Sequence, residues 1–264
     1  LLDGTEVVVK VRRPGVVEQV EEDLGILIDL ANTASQHWEP AAQYDLPGLV
    51  AEFAQTLRAE LDYVNEGHNA ERFGAMFEDD ATIVIPRIFW ETTTSCVLTL
   101  ERMHGIKIND LPALDAAHID RSVLARRACD ALLQMVFDER FFHADPHPGN
   151  FFIQDDGNIA LIDFGMVGVV DERTRDQLAQ LMVALTSQDS AQLVDAFLDL
   201  GVGGRGASRD ALERDLDHLV AGLYGRPLKE VRLGPLLAEA QAVARKHQLR
   251  LPSNLALLLK SLAM

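Results

Sequence analysis

Asp145, Asn150 and Asp163 follow one another at intervals of five and thirteen residues, the first two in His-Ala-Asp-Pro-His-Pro-Gly-Asn and the third in Leu-Ile-Asp-Phe-Gly. An aspartate that can orient a hydroxyl nucleophile, then an asparagine and an aspartate that can hold magnesium against nucleotide phosphates, are the acidic parts that phosphoryl transfer from ATP requires. Phe151-Phe152-Ile153 and Ile159-Ala160-Leu161-Ile162 are apolar runs separated by Gln154-Asp155-Asp156-Gly157-Asn158, which predicts a β-hairpin. Such a hairpin would set Asn150 at one strand mouth and Asp163 at its neighbour, two hard oxygen donors for one divalent ion.

His143 and His147 stand four apart and flank a carboxylate, a spacing that gathers two imidazoles only on a helix. Pro146 and Pro148 forbid a regular helix there, so the histidines are read as hydrogen-bond partners within the loop rather than as zinc ligands.

The elements that must position this loop lie upstream. Val7-Val8-Val9-Lys10-Val11 follows the turn signal Asp3-Gly4 and reads as a β-branched strand carrying one cation. In phosphoryl transfer such a lysine reaches the nucleotide phosphates and is held by a helix glutamate. Leu49, Phe53, Leu57, Leu61 and Val64 recur at helical spacing and predict a helix over 46–77. That helix carries Glu60, Asp62, Glu66 and Glu71, and spacing alone does not choose among them. Two strands are predicted over 83–90 and 96–103. The second runs into Leu100-Glu101-Arg102-Met103-His104-Gly105, a connector whose backbone groups at Glu101 and Met103 could meet an adenine.

The second half is helical by pattern, over 117–137, 174–185, 191–200, 211–223, 236–247 and 254–262, with loops at 201–206 and 225–227. Asp171 opens a helix almost directly after Asp-Phe-Gly and no Ala-Pro-Glu element follows, which argues against a polypeptide substrate. At 264 residues and 48% hydrophobic content the chain can bury a substantial core. Its formal charge of −17 argues against generic nucleic-acid binding and broad adhesion to anionic lipid. Cys96 and Cys129 read as buried free thiols of a reducing compartment. No apolar run reaches the roughly 18–20 residues of a bilayer span.

Four stretches together resemble the UbiB/AarF-like (ADCK) atypical kinases: Val-Val-Val-Lys-Val-Arg-Arg-Pro-Gly-Val from Val7, Glu-Leu-Asp-Tyr-Val-Asn-Glu-Gly-His-Asn-Ala-Glu-Arg-Phe from Glu60, the loop His143 to Asn150, and Leu-Ile-Asp-Phe-Gly-Met-Val-Gly from Leu161. The resemblance implies an α+β, protein-kinase-like two-lobed fold, with a partial N-lobe of small β-sheet and acidic helix over 1–103 and a mostly helical C-lobe over 104–264. It implies ATP and Mg2+ as cofactors, Lys10 as the phosphate-contacting lysine, Glu66 as its helix partner and Glu60 with Asp62 as a Glu-x-Asp motif. Asp145 matches the catalytic-loop aspartate, and Asn150 and Asp163 the metal ligands. The family's Lys-x-Gly-Gln extension and Ala-rich loop are not found ahead of Lys10, so the chain is expected to be a fragment of a longer protein.

The family is implicated in ubiquinone and related isoprenoid-lipid metabolism. A small lipid-like substrate or quinone-biosynthesis proteins are therefore the expected partners, in a cytoplasmic protein whose other segments reach a membrane peripherally. The alternatives are a soluble small-molecule kinase similar to the aminoglycoside or choline phosphotransferases, whose loops also read His-x-Asp-x-His-Pro-x-Asn, and a nucleotide-binding scaffold that transfers nothing.

Overall fold

The computed structural model describes residues 1–37, 46–187, 189–203, 208–221, 233–247, 249–250, 255, 257–259 and 261. The predicted loop at 225–227 lies outside these residues, and the loop at 201–206 and the helix at 254–262 are described only in part. The chain forms two compact units, Leu1–Ile119 with Asn150–Met166, and Asp120–Gly149 with Val167–Met264. This division is not the contiguous one at 103. Strand pairing explains why: Phe151–Ile153 pairs with Ile106–Lys107, and Ile159–Leu161 with Ile83–Val84, so the hairpin is hydrogen-bonded into the first unit from both sides.

In the first unit the lysine strand Val7–Val11 pairs antiparallel with Val97–Glu101, Lys10 opposite Leu98. Among the described residues three helices follow that strand: α1 (Val16–His37), α2 (Leu46–Glu60) and α3 (Tyr63–Met76). α1 lies where no element is predicted, although Pro14-Gly15 marks its start and Leu24 and Ala31, a heptad apart, are its buried positions. Arg58 of α2 ties to it with two hydrogen bonds to Glu21, at 2.7 and 2.6 Å.

The single helix predicted over 46–77 is two. The chain leaves α2 at Leu61, and the Asp62 side chain accepts the Val64 N–H at 3.0 Å to cap α3. The apolar stripe runs through the break, so periodicity hides it; the capping aspartate creates it.

The strand predicted over 83–90 is divided at Pro86, which has no N–H to give a ladder. Ile83–Val84 pairs in parallel with Ile159 and Ala160. Beyond the proline, the Arg87 carbonyl accepts Glu101 N–H and Phe89 N–H donates to the Thr99 carbonyl, both at 2.9 Å. The strand predicted over 96–103 contracts to Val97–Glu101. The 151–161 hairpin forms as its turn residues predict, with Gly157 at φ +77° donating its N–H to the Gln154 carbonyl. The short helix α4 (Leu111–Ala116), capped by Asp110, closes this part of the chain.

In the second unit, α5 (Arg121–Leu133) starts four residues later than predicted because Asp120 caps it, and it continues as a π turn over Gln134–Asp138. Phe141–His143 then pairs antiparallel with Val167–Val169, placing Phe142 opposite Gly168. Helices α6 (Glu172–Ser187), α7 (Ser190–Leu200), α8 (Arg209–Ala221) and α9 (Leu233–Lys246) follow. Ala184, Val194, Leu212, Leu216, Val220 and Ala244 are among the buried residues of their common core. Asp171 opens α6 as expected: its carboxylate accepts the Thr174 N–H at 3.0 Å and the Thr174 hydroxyl at 2.7 Å.

Both cysteines are exposed, contrary to the expectation of buried thiols. Cys96 lies in the turn before Val97, its Sγ 3.1 Å from an Arg12 guanidinium nitrogen, and Cys129 lies on the outer face of α5. No helix among the described residues is long and apolar enough to cross a membrane.

Gly168 is set by packing. A Cβ there would lie 2.2 Å from Cζ of Phe142, whose ring is fully buried. Gly168→Ala is therefore predicted to destabilise the chain by about 1–3 kcal/mol, the usual cost of overpacking, measured as a lowered urea midpoint with an unchanged m-value.

Candidate functional site

The first unit brings three of the predicted site residues together. Lys10 projects from its strand so that Nζ hydrogen-bonds Glu66 Oε1 and stands 3.3 Å from Asp163 Oδ2. Glu66 is buried, and a carboxylate removed from water needs compensating charge and hydrogen bonds. It gains the ammonium, and its Oε1 also accepts the Phe164 N–H at 3.4 Å. Among the acids that spacing left open, Glu66 is thus the partner of Lys10. The others have different duties: Asp62 caps α3, Glu60 is the last residue of α2, and Glu71 accepts the Trp90 indole N–H at 2.5 Å.

The face of α3 that carries Glu66 holds the Asp-Phe-Gly segment at further points, because residues three and seven positions on lie along the same stripe. Asn69 Nδ2 donates to the Phe164 carbonyl at 2.9 Å. The Phe73 ring meets that of Phe164 at 5.6 Å between centroids, and both side chains are fully buried. Trp90 braces α3 from another side: a Cβ on Gly67 would stand 2.7 Å from its ring, and the His68 ring lies 4.6 Å from it. Asn69, Phe73 and Trp90 were not among the predicted site residues. The first two were legible as positions i+3 and i+7 from Glu66, had Glu66 been fixed first.

Asn150 and Asp163 flank the open end of the hairpin. Phe151 pairs with Leu161, and the Asn150 carbonyl accepts the Ile162 N–H at 3.1 Å. Asp163 Oδ1 accepts the Gly165 N–H at 3.1 Å, while its side chain remains 43% exposed. A half-open carboxylate and an amide oxygen are hard donors that fit Mg2+ rather than a thiophilic metal.

Along the connector, Glu101 N–H is taken by the Arg87 carbonyl and Arg102 N–H by the Glu6 carbonyl at 3.3 Å. The Glu101 carboxylate accepts the Arg87 N–H at 3.2 Å. Met103 N–H meets no acceptor among the described residues.

Asp145 belongs to the second unit. Its N–H donates to His143 Nδ1 at 3.1 Å, its carbonyl accepts the His147 N–H at 2.7 Å, and His147 Nδ1 accepts the Gly149 N–H at 3.0 Å. Both imidazoles shape the loop backbone.

Burial opposes the charge on Lys10, but attraction to Glu66 and then to Asp163 outweighs it and holds the Lys10 pKa above its ordinary value of 10.5. Because the folded value is the higher one, the stabilisation is complete below pH 10.5 and is lost as pH rises through the raised value. The unfolding free-energy gap between the wild type and Lys10→Met is predicted to stay constant from pH 7 to about 10 and to shrink above it, as read from urea titrations across that range.

The sequence pattern of the ABC1 atypical kinase-like domain matches residues 1–197, and that of the UbiB helical domain matches 216–264. Proteins named "Probable protein kinase UbiB" from Marinobacter nauticus and Xylella fastidiosa are 33% and 35% identical to the chain over 266 and 269 residues, covering 99% of it. The alignment takes in 49% of each relative, so the chain spans about half the length of these curated relatives. The solved complex of Rv3197 with erythromycin from Mycobacterium tuberculosis matches with a TM-score of 0.68 at 22% identity, over 99% of this chain and 66% of that one, a likeness of fold. With three quarters of its length matched to one domain and the α+β fold in agreement, the chain belongs to the ABC1 (UbiB/AarF-like) atypical kinase-like family.

Proposed function

We propose that the chain supplies the nucleotide-handling part of a Mg2+-dependent phosphotransferase or ATPase. The observation that carries this reading is Lys10 Nζ shared between buried Glu66 and half-open Asp163. A lysine so placed is oriented by Glu66 and available to phosphate oxygens where it now meets Asp163. In this reading Met103 N–H, beside Glu101 in the connector, hydrogen-bonds the adenine edge, and Glu60 and Asp62 contribute to the nucleotide site as the family's Glu-x-Asp motif.

Asn150 and Asp163 would hold the magnesium, which when bound neutralises charge on the phosphates. Asp145 accepts the proton of an acceptor hydroxyl as that oxygen bonds to the γ-phosphorus, the β–γ bridging P–O bond breaks, and ADP leaves with the bond's electron pair. The acceptor is a small lipid-like molecule of quinone or related isoprenoid metabolism, or water. The UbiB part of the relatives' name supports the quinone link, and the short segment between Asp-Phe-Gly and α6 favours a small acceptor over a polypeptide, although the same relatives are named probable protein kinases.

Two substitutions separate the roles. Asp163→Asn is predicted to remove the Mg2+-dependent stabilisation by ATP in a thermal-shift titration while the ligand-free chain melts as a folded protein. An unchanged Mg2+-dependent shift would overturn the metal assignment. Asp145→Asn should keep that shift and lower phosphoryl transfer or ATP hydrolysis by about 10²–10⁴-fold; undiminished turnover would remove Asp145 from the chemistry.

A further inference from the structure

Asp163 is oriented by its neighbours: its Oδ2 lies 3.3 Å from Lys10 Nζ, and its Oδ1 accepts the Gly165 N–H at 3.1 Å. That N–H belongs to the same peptide group as the Phe164 carbonyl, and the carbonyl end of the group accepts Asn69 Nδ2 at 2.9 Å. One peptide plane therefore links the helix amide to the carboxylate. Asn69 fixes the plane at its oxygen, and the plane presents its hydrogen to Asp163. Aligned hydrogen bonds of this kind polarise one another, so the first strengthens the second. The Asn69 amide can be oriented only one way, because a carbonyl oxygen accepts and does not donate. At the near side of Phe164, Glu66 accepts the N–H at 3.4 Å, so α3 grips the residue through both of its backbone polar groups. The 164–165 peptide is the link between the helix amide and the carboxylate. It is followed by Gly165, whose freedom in φ and ψ lets that plane rotate away.

We propose that Asn69 is a positioning residue for the Asp163 carboxylate, acting through the 164–165 peptide group. The inference rests on the reading of Asp163 as the metal-holding residue and adds to it what holds Asp163 in place. Without the Asn69 donor the Phe164 carbonyl loses its bond to α3, the Gly165 N–H turns from Oδ1, and the carboxylate, with its Oδ2 still 3.3 Å from Lys10, samples orientations less suited to hold an ion between itself and the nucleotide. Groups that orient metal ligands in this way typically account for 10–100-fold in metal affinity.

The test measures ATP affinity of the full chain by isothermal titration, once with excess MgCl2 and once with EDTA, for wild type, Asn69→Asp, Asn69→Ala and Asp163→Asn. Asn69→Asp keeps the shape and replaces the donor by an oxygen that repels the Phe164 carbonyl. Asn69→Ala removes the donor with a residue that favours helix, which keeps the question answerable if the aspartate variant does not fold. The expected result is a drop of about 10–100-fold in the ratio of Mg2+ to EDTA affinity in both Asn69 variants, with the EDTA affinity unchanged. An unaltered ratio in a folded Asn69 variant, or an equal loss in Mg2+ and in EDTA, overturns the inference while Asp163→Asn still abolishes the ratio. If Asp163→Asn leaves the ratio intact, the metal reading falls and this inference falls with it.

Discussion

The first unit depends on one ammonium group held between two carboxylates. Glu66 comes from α3 and Asp163 from the end of the hairpin, and brought together alone they would repel each other. Lys10, from the strand Val7–Val11, meets both. Three elements far apart in sequence are thereby fixed at one point, and the fixing is strong because Glu66 is buried and has no water to fall back on. With 41 Asp and Glu against 24 Lys and Arg, carboxylates outnumber cations in this chain. This one lysine serves two carboxylates at once.

What makes the triad rigid is the packing of α3. Gly67 lets Trp90 sit against the helix backbone, and Trp90 is itself tied by its indole N–H to Glu71. Elsewhere on the helix, Phe73 and Phe164 bury their rings against one another. The helix is thus gripped by an aromatic residue at each of two contacts, and neither is charged. The apolar contacts set the rotation and height of α3, the polar residues Glu66 and Asn69 inherit that placement, and the ion pair then closes at a distance that the packing has already determined.

The parts legible in sequence were those governed by local chemistry. The hairpin at 151–161 announced itself through Asp156-Gly157-Asn158 between apolar runs, and it delivers Asn150 and Asp163 to one end as that pattern requires. Asp171 likewise advertised its cap. What sequence did not reveal was set by competition between local signals and by tertiary contact. The apolar stripe of 46–77 continues through Leu61, so its period reads as one helix although the Asp62 side chain ends one and starts another. Pro86 carried a visible warning against a strand over 83–90, and the β-branched residues around it masked the warning. The choice of Glu66 among four acids needed either the fold or the family resemblance, since nothing in the spacing says which carboxylate faces the lysine. The exposure of Cys96 and Cys129 was hidden for a related reason: apolar neighbours in sequence do not say which face of a turn or helix points outward.

Charge balance gives the proposed chemistry its strictest condition. Lys10 is already matched by Glu66 and partly shared with Asp163, so the ligand-free cluster carries more negative than positive charge. ATP would bring further negative charge to it. Lys10 alone cannot satisfy two carboxylates and a triphosphate, and the Coulomb cost of unmatched charge rises as water is excluded around Glu66. On the proposed reading a divalent cation held by Asp163 would accompany the nucleotide and reduce the imbalance. Lys10 would then keep its bond to Glu66 and exchange the longer contact to Asp163 for one to phosphate. On the proposed reading the two carboxylates at Lys10 would therefore act as a selection rule, in which nucleotide and metal enter together and neither is held well alone.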